Sequence, residues 1–183
     1  MFFKKRKPPE TQHLTTIVER MRLSGIAKYS EFQGIDQAKI LKLEEKYNLE
    51  LPQTYREFLK VMGWKAGLLL QGDHQEIFYD AVLELTEEFN QDIAEMECGR
   101  HRLPDNSRAS PPLYSLPENA LIISQRLGEG ILFIICEGQT DSPVFELDNL
   151  EWKIEQTHDS VIDWLDSLCT LTEADIKSGF YNP

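Results

Sequence analysis

Apolar residues recur every three or four positions over the first third of the chain, which is the period of an amphipathic α-helix. The pattern predicts helices from Thr11 to Gly25, from about Asp36 to Tyr47 and from Pro52 to Met62. In the third helix the large side chains fall at i, i+3, i+4 and i+7 and share one face: Tyr55, Phe58, Leu59 and Met62. We expect that face to be buried, because exposing several large apolar groups to water is costly.

The second and third helices are joined with no spare length. Asn48 can adopt the left-handed conformation that ends a helix, and Pro52 has a φ angle suited to the first position of the next one. Gly63 can end the third helix. Residues 44–63 therefore predict a tight joint between two helices, which we name the elbow.

Short apolar runs predict strands further along the chain. Gly67–Gln71 and Glu76–Tyr79 flank the turn dipeptide Gly72-Asp73 and are expected to form a hairpin. Thr86 is expected to cap a helix over Glu87–Met96. Residues 99–112 contain three prolines and three arginines and predict a polar loop, either mobile or used for contact.

The second half of the chain continues this strand pattern. The run 131–135 is apolar on both alternating faces and is expected to be a central strand covered on each side, whereas 152–157 alternates like a strand with one wet face. Residues 161–168 predict a closing helix, and Thr172–Asp175 resembles a capping box for a last short helix that ends at Gly179. The other predicted strands are 121–123 and 144–147.

Short turns between consecutive strands imply antiparallel pairing, and helices at both ends of the strand block imply an α+β class. We expect a single domain over residues 11–183, with a mainly antiparallel curved sheet packed with helices from the N- and C-terminal parts. Residues 1–10 are expected to be a basic, flexible N-terminus.

Composition agrees with a chain that folds in water. Its 183 residues are 41% hydrophobic, and no run approaches the ~20 apolar residues that span a membrane. The first residues lack the apolar segment of a secretory signal, so we expect a cytoplasmic protein with no membrane partner. The odd number of cysteines, Cys98, Cys136 and Cys169, fits a reducing compartment.

Charge is distributed unevenly along the chain. The formal net charge is -12, and the first 30 residues carry +5, which leaves -17 on the remainder. Such a body repels nucleic acid and attracts basic surfaces. An ordinary solubilising surface would have the same composition, so charge alone does not identify a partner.

Known catalytic motifs are missing from the sequence: there is no phosphate loop, no H-E-x-x-H, no nucleophile elbow and no C-x-x-C. The nearest metal pattern is residues 73–76, Asp-His-Gln-Glu, with Cys98 and His101 as distant ligands, and a solvated turn explains it better. Cys98 and His101 at the edge of a loop would not hold the geometry of a nucleophile and base. We expect no catalytic residue, no metal and no cofactor.

The elbow resembles the SUKH superfamily, which includes fungal cell-wall synthesis regulators, Syd proteins and many bacterial toxin-immunity proteins. The matching residues are Ile40–Glu44, Leu51-Pro52-x-x-Tyr55-Arg56-x-Phe58-Leu59 and Met62-Gly63. Downstream, 128–133, 142–146 and 161–168 are similar to the family's glycine turn, short strand and closing helix, so the resemblance covers about residues 35–168. Two departures are Gly128-Glu129-Gly130, where the family often has Gly-Asp, and the polar insertion at 99–112.

The resemblance implies a protein-binding module that neutralises a cognate toxin domain stoichiometrically, and the acidic body would suit a basic nuclease. An intracellular scaffold or regulator is the alternative, and an enzyme acting on a small ligand ranks last. Candidate contact residues are the acidic groups at predicted turns: Asp73, Glu76, Asp80, Glu129, Glu137 and Asp141. The motif residues Leu51, Pro52, Tyr55, Phe58 and Leu59 are expected to serve packing.

Overall fold

The computed structural model describes residues 14–70, 75–126 with a gap at 101–115, 129–148 and 153–181, and for residues 96–100 and 129 it describes the backbone alone. Within these ranges the helices are α1 (Leu14–Ser24), α2 (Gln37–Tyr47), α3 (Gln53–Met62), α4 (Tyr79–Arg100) and α5 (Val161–Ser178), with a 3-10 turn at Tyr29–Glu31. The strands are β1 (Phe32–Gln33), β2 (Lys65–Ala66), β3 (Gln75–Glu76), β4 (Ala120–Arg126), β5 (Glu129–Ile135), β6 (Val144–Asp148) and β7 (Lys153–His158). The chain folds as a single α+β domain, as predicted.

The elbow forms as the sequence predicts. Asn48 ends α2 in the left-handed conformation, with φ 49° and ψ 52°, and Pro52 precedes the first residue of α3. The predicted face of α3 is fully buried: Tyr55, Phe58, Leu59 and Met62. The Phe58 ring packs edge-on against Trp164 of α5, with 6.0 Å between the ring centroids.

A buried carboxylate holds the two helices of the elbow together. Glu44 is 8% exposed, and its Oε1 accepts a hydrogen bond of 2.8 Å from the backbone N–H of Leu51. The same oxygen forms an ion pair with Arg56 on α3. Both partners of Glu44 therefore come from the far side of the turn, so the carboxylate fixes the angle between α2 and α3.

The main sheet is an antiparallel meander with the order β3-β4-β5-β6-β7. Strand β5 is central, as predicted, and register shifts in the β4–β5 and β6–β7 pairings allow the sheet to bend. One face, with Leu121, Ile123 and Ile134, joins the core formed with helices α1, α2, α3 and α5. The other face, with Ile122 and Phe133, joins a smaller cluster with α4.

Strand β7 differs from its prediction. It lies at the edge of the sheet, and residues 153–157 are exposed on both faces rather than on one. Ile154, expected to point inward, is 38% exposed. Alternation of apolar and polar residues therefore did not predict burial here, because no segment among the described residues buries either face of 153–157.

The prediction of a hairpin around residues 72–73 was wrong. Strand β2 pairs with β1 in a separate two-stranded sheet, residues 67–70 form a turn, and β3 pairs with β4. Residues 71–74 lie outside the described ranges. The two segments that flank the turn dipeptide therefore pair with other strands and not with each other. Strand pairing depends on which strand edges are available in the folded chain, and the local sequence does not show this.

Two helix starts were also misplaced. Helix α4 begins at Tyr79, so Thr86 is not a cap but a buried residue inside the helix, whose Oγ1 accepts the Ile122 N–H at 2.9 Å. Helix α5 runs without a break through the predicted capping box, and the Thr172 hydroxyl donates to the Leu168 carbonyl at 3.0 Å. It ends before Gly179, where φ is +81°.

The remaining predictions fall partly outside the described residues. Helix α1 ends before Gly25, but its predicted cap at Thr11 is not described. Helix α4 takes in residues 99 and 100, which were assigned to the polar loop, and residues 101–115 are not described.

Candidate partner-binding surface

Helix α4 presents a row of carboxylates on the side away from the sheet. Its inner side is formed by Val82, Leu85 and Phe89, which are buried. The outer side carries Asp80 and continues at four-residue spacing; the members of this acidic row are Asp80, Glu84, Glu88 and Asp92, all exposed. Residues four apart lie on the same side of a helix, so the row is continuous.

No cation of the helix itself balances this row. Over residues 79–95, where side chains are described, α4 has six carboxylates and no lysine or arginine. Lys46 of α2 binds Glu84 and Glu87, with Nζ–Oε2 distances of 3.3 and 2.8 Å. Like charges four residues apart destabilise a helix by ~0.2–0.5 kcal/mol per pair. The row is thus slightly unfavourable for folding and is kept in place by the buried side of α4.

A second group of carboxylates lies where β5 ends. Glu50 of the elbow and Glu137 form an isolated bridge, and the Asn119 side chain donates to Glu137 Oε1 at 2.7 Å. The Glu50 carboxylate covers Gly138, where a Cβ would come within 2.5 Å of Glu50 Cδ. Glu118 is also exposed here. We name Glu50, Glu118 and Glu137 the acidic corner.

The acidic corner and helix α4 approach the same end of the sheet. Glu76, just before α4, pairs with Gln125, whereas Thr86 inside α4 binds the Ile122 N–H. Helix α4 thus advances along β4 toward the first residue of that strand, Ala120, near Glu118. The C-terminal half of the described part of α4 therefore lies toward the corner.

Asp141 has a structural role at this end of the molecule. Its Oδ1 accepts hydrogen bonds from the backbone N–H of Ser142 at 2.8 Å and of Val161, the first residue of α5, at 3.1 Å. Partial burial raises the pKa of Asp141 above its usual value. The carboxylate is thus occupied in joining the β5–β6 turn to α5.

The other predicted contact residues lie apart from the corner. Glu76 is exposed on β3 and pairs with Gln125, near the opposite end of β4. The backbone of Glu129 pairs with Arg126 at that same end. Asp73 lies outside the described residues. The structure therefore separates Glu76 and Glu129 from Glu137 and Asp141.

Sequence reasoning missed Glu84, Glu88 and Asp92. Their four-residue spacing from Asp80 was visible in the sequence, but 76–79 was interpreted as a strand and the helix was started at Glu87. Glu50 and Glu118 gave no local signal, because they meet Glu137 only through the pairing of distant segments.

A cleft of about 440 Å³ lies on the sheet beside His158, with Arg126 and Glu146 in its lining. His158 Nε2 is 3.1 Å from Ser167 Oγ, but that hydroxyl donates to the Trp164 carbonyl at 2.7 Å. In a catalytic nucleophile–base pair, the serine hydroxyl donates its proton to the imidazole. Here the Ser167 hydroxyl donates to a backbone carbonyl instead, so Ser167 and His158 do not form such a pair. Burial lowers the pKa of His158.

The described cysteines are also unsuited to nucleophilic chemistry. Cys136 and Cys169 are buried, and burial raises the pKa of each thiol to about 12. Each therefore stays protonated at neutral pH, whereas the thiolate is the reactive form.

Metal ligands are not gathered anywhere in the part of the chain that the structure describes, where no group of three His, Cys, Asp or Glu side chains could hold an ion. Of the sequence pattern at residues 73–76, Asp73 and His74 lie outside it. Over the described ranges, none of the helices combines the length and apolar character needed to traverse a bilayer.

The described residues form an α+β domain with an antiparallel meander and an elbow of two helices, and they carry exposed carboxylates on α4 and at the acidic corner. The model of the SMI1/KNR4 family (SUKH-1) matches residues 34–167, and the chain belongs to this family. Family members are in general non-enzymatic immunity or regulatory proteins. A comparison with curated proteins finds no match.

Proposed function

We propose that this protein is an immunity protein of the producing cell's cytoplasm, which neutralises a cognate toxin domain by binding it stoichiometrically. The observation that carries the proposal is membership of the SUKH-1 family together with the acidic row of α4. In this proposal the protein has no catalytic role, and it needs no metal or cofactor.

The acidic row of α4 supports the proposal that the partner has a basic surface. Within the described residues, Asp80, Glu88 and Asp92 take part in no ion pair with Lys, Arg or His. Their charges are therefore available to a partner, and they would draw a basic surface toward α4 at a rate that falls as salt is added. A nuclease domain fits best, because its phosphate-binding cations would meet carboxylates in place of phosphates.

The contact surface we propose is the acidic row with the acidic corner, which includes Asp80 and Glu137 from the sequence prediction. Glu76 and Glu129, at the other end of the sheet, remain proposed contacts, and so does Asp73, which lies outside the described residues. Asp141 would contribute through the turn it holds. A partner would bury the central residues of this surface and leave its rim in water.

The direct experiment is co-expression. If the neighbouring reading frame encodes a long secreted protein with a variable C-terminal domain, this chain should rescue cells from that domain and co-purify with it in a one-to-one complex. Lack of both rescue and complex would contradict the proposal. Pull-down of endogenous cell proteins in their place would favour a scaffold or regulator.

A charge-matched pair of variants locates the surface. The test variant carries Asp80→Asn, Glu88→Gln and Asp92→Asn, which leaves the Lys46 pairs intact. The control carries Glu155→Gln, Asp163→Asn and Asp175→Asn on β7 and α5, with the same change in net charge. We expect association to slow at least tenfold in the test variant at low salt, and much less in the control. Equal slowing would show that net charge, not the row, steers binding.

A further inference from the structure

An apolar groove of about 580 Å³ lies between α1, the 3-10 turn and α3, on a different surface from the acidic row. Leu14 and Val18 of α1 form one wall and Val61 of α3 the other, with Tyr29 at one end. Its charged lining residues are Glu19, Glu57 and Lys60. We name it the α1–α3 groove.

The walls of the groove are held in place before anything binds. Tyr29 is 65% exposed, yet its hydroxyl donates to Glu19 Oε2 at 2.9 Å. Arg22 also binds Glu19 and places its guanidinium 5.7 Å from the centroid of the Tyr29 ring. A large aromatic ring fixed in water at the end of an apolar groove loses little entropy on contact with a ligand.

Helix α1 is anchored from its other side. The Arg20 guanidinium binds Glu173 and Asp166 of α5 at 2.9 and 2.6 Å, and it donates to the Thr170 hydroxyl at 3.0 Å. Helix α1 and Tyr29 lie before the family match, which starts at residue 34, whereas Glu57 and Val61 lie inside it. The groove therefore combines a wall of the family domain with a wall specific to the segment that precedes it.

The sequence that leads into Leu14 has the composition this groove would bind. Two aromatic residues, Phe2 and Phe3, are followed directly by four basic ones, Lys4–Lys7. Aromatic rings suit the apolar floor, and the basic run suits the carboxylate of Glu57, since Glu19 is already bound by Arg22 and Tyr29. A chain of eleven residues spans roughly 18 Å on average, which is enough to return Phe3 to a groove that starts at Leu14.

We propose that the α1–α3 groove binds the chain's own residues 2–7, with Phe2 or Phe3 against Val18 and Val61. A tether this short gives an effective concentration of roughly millimolar, so modest affinity is sufficient. This inference is independent of the proposed immunity function, because it concerns another surface and needs no partner.

Methyl NMR of the full chain tests the proposal. We expect nuclear Overhauser contacts between the rings of Phe2 or Phe3 and the Val18 and Val61 methyls. Phe2→Ser/Phe3→Ser should remove these contacts and shift both methyl resonances. The control Phe180→Ser, which changes an exposed aromatic after the end of α5, should leave them unchanged. Absence of the contacts in the wild-type chain would overturn the proposal.

Two further measurements distinguish residues 2–7 of the same chain from other possible occupants of the α1–α3 groove. Contacts that appear only between labelled and unlabelled molecules in an isotope-filtered experiment would mean that a second copy fills the groove, and would overturn binding in cis. Excess synthetic peptide of residues 1–10, added to the Phe2→Ser/Phe3→Ser variant, should restore the wild-type shifts of the Val18 and Val61 methyls. In a variant that also carries Val61→Glu, the peptide should fail to restore the Val18 shift. Peptide shifts elsewhere on the surface would contradict the assignment to this groove.

Discussion

The elbow and the outer side of α4 are both rich in glutamate, and they use it in opposite ways. In the elbow, Glu44 is 8% exposed and is bound by the Leu51 N–H and by Arg56. On α4, Glu88 is exposed, and residues 79–95, the part of this helix whose side chains are described, contain no lysine or arginine. The first carboxylate supports the fold, and the second is left to solvent or to a partner.

The environment of a carboxylate, not its presence in a motif or a turn, decides its role. A buried charge must be paired, because an unpaired one is costly in a low-dielectric interior. An exposed charge needs no partner and contributes little to folding. Variants in the two regions should therefore separate stability from binding.

The largest effect is expected from Phe58→Ala in the elbow. The variant should lose about 3 to 5 kcal/mol of the free energy of unfolding, because it empties a fully buried site against Tyr55 and Trp164. Urea unfolding followed by circular dichroism measures this. Leu171→Ala, at a residue that is 53% exposed, should change stability by less than about 0.5 kcal/mol. Native-like unfolding of Phe58→Ala would refute the packing described above.

Glu44→Gln should have the next largest effect, about 2 kcal/mol, because the amide still accepts the Leu51 N–H but leaves the Arg56 charge without its partner. Its neighbour Glu45 is exposed, so Glu45→Gln is the matched control and should be close to neutral. If the two variants unfold at the same urea concentration, the ion pair is not what holds the elbow.

Glu173 is an intermediate case, since it is partly exposed and bound by Arg20. Its hydrogen bond to Arg20 lowers the pKa of Glu173 below its usual value of 4.5. A carboxylate with a lowered pKa stabilises the fold above its unfolded pKa, and this contribution is lost as pH falls through the folded one. We expect Glu173→Gln to melt earlier than wild type at pH 7, with the gap closing below about pH 4. A gap independent of pH would exclude the charge as the cause.

The smallest effect on stability is expected from the triple variant of α4, with Asp80→Asn, Glu88→Gln and Asp92→Asn. Losing the helix-dipole contact of Asp80 is offset by the loss of the three like-charge pairs 80–84, 84–88 and 88–92, so the free energy of unfolding should change by less than about 0.5 kcal/mol. Thermal melting checks this on the protein used for the binding assay. A large loss would show that the acidic row is structural after all, and would remove the contrast with the elbow.

Local signals in the sequence were sufficient for the elbow and for the central strand. Asn48, Pro52 and the apolar face of α3 act within a few residues of one another, and an uninterrupted apolar run such as 131–135 can only be covered on both sides. The predictions were wrong where a local sequence pattern is compatible with more than one secondary structure. Residues 76–79 were assigned to a strand, and Thr86 and Thr172 were taken as caps, although each threonine is buried inside a long helix.

The candidate partner-binding surface was also predicted only where local sequence signals were sufficient. Asp80 and Glu137 were identified as exposed acidic residues near turns, but the rest of the row depended on where α4 begins. That start is set by contacts with distant segments, such as the Tyr79 N–H donating to the Gly63 carbonyl at 2.8 Å. The acidic corner likewise depends on the bridge between Glu50 and Glu137.

Composition and residues close together along the chain were sufficient to predict the family, the α+β class, the elbow and the acidic character of the chain. Tertiary structure alone decided which carboxylates are paired and which remain exposed, and it brought α1, Tyr29 and α3 together as a groove. The reason is physical: a charge or an apolar side chain acquires its role from the groups that surround it in space, and most of those lie far away in sequence.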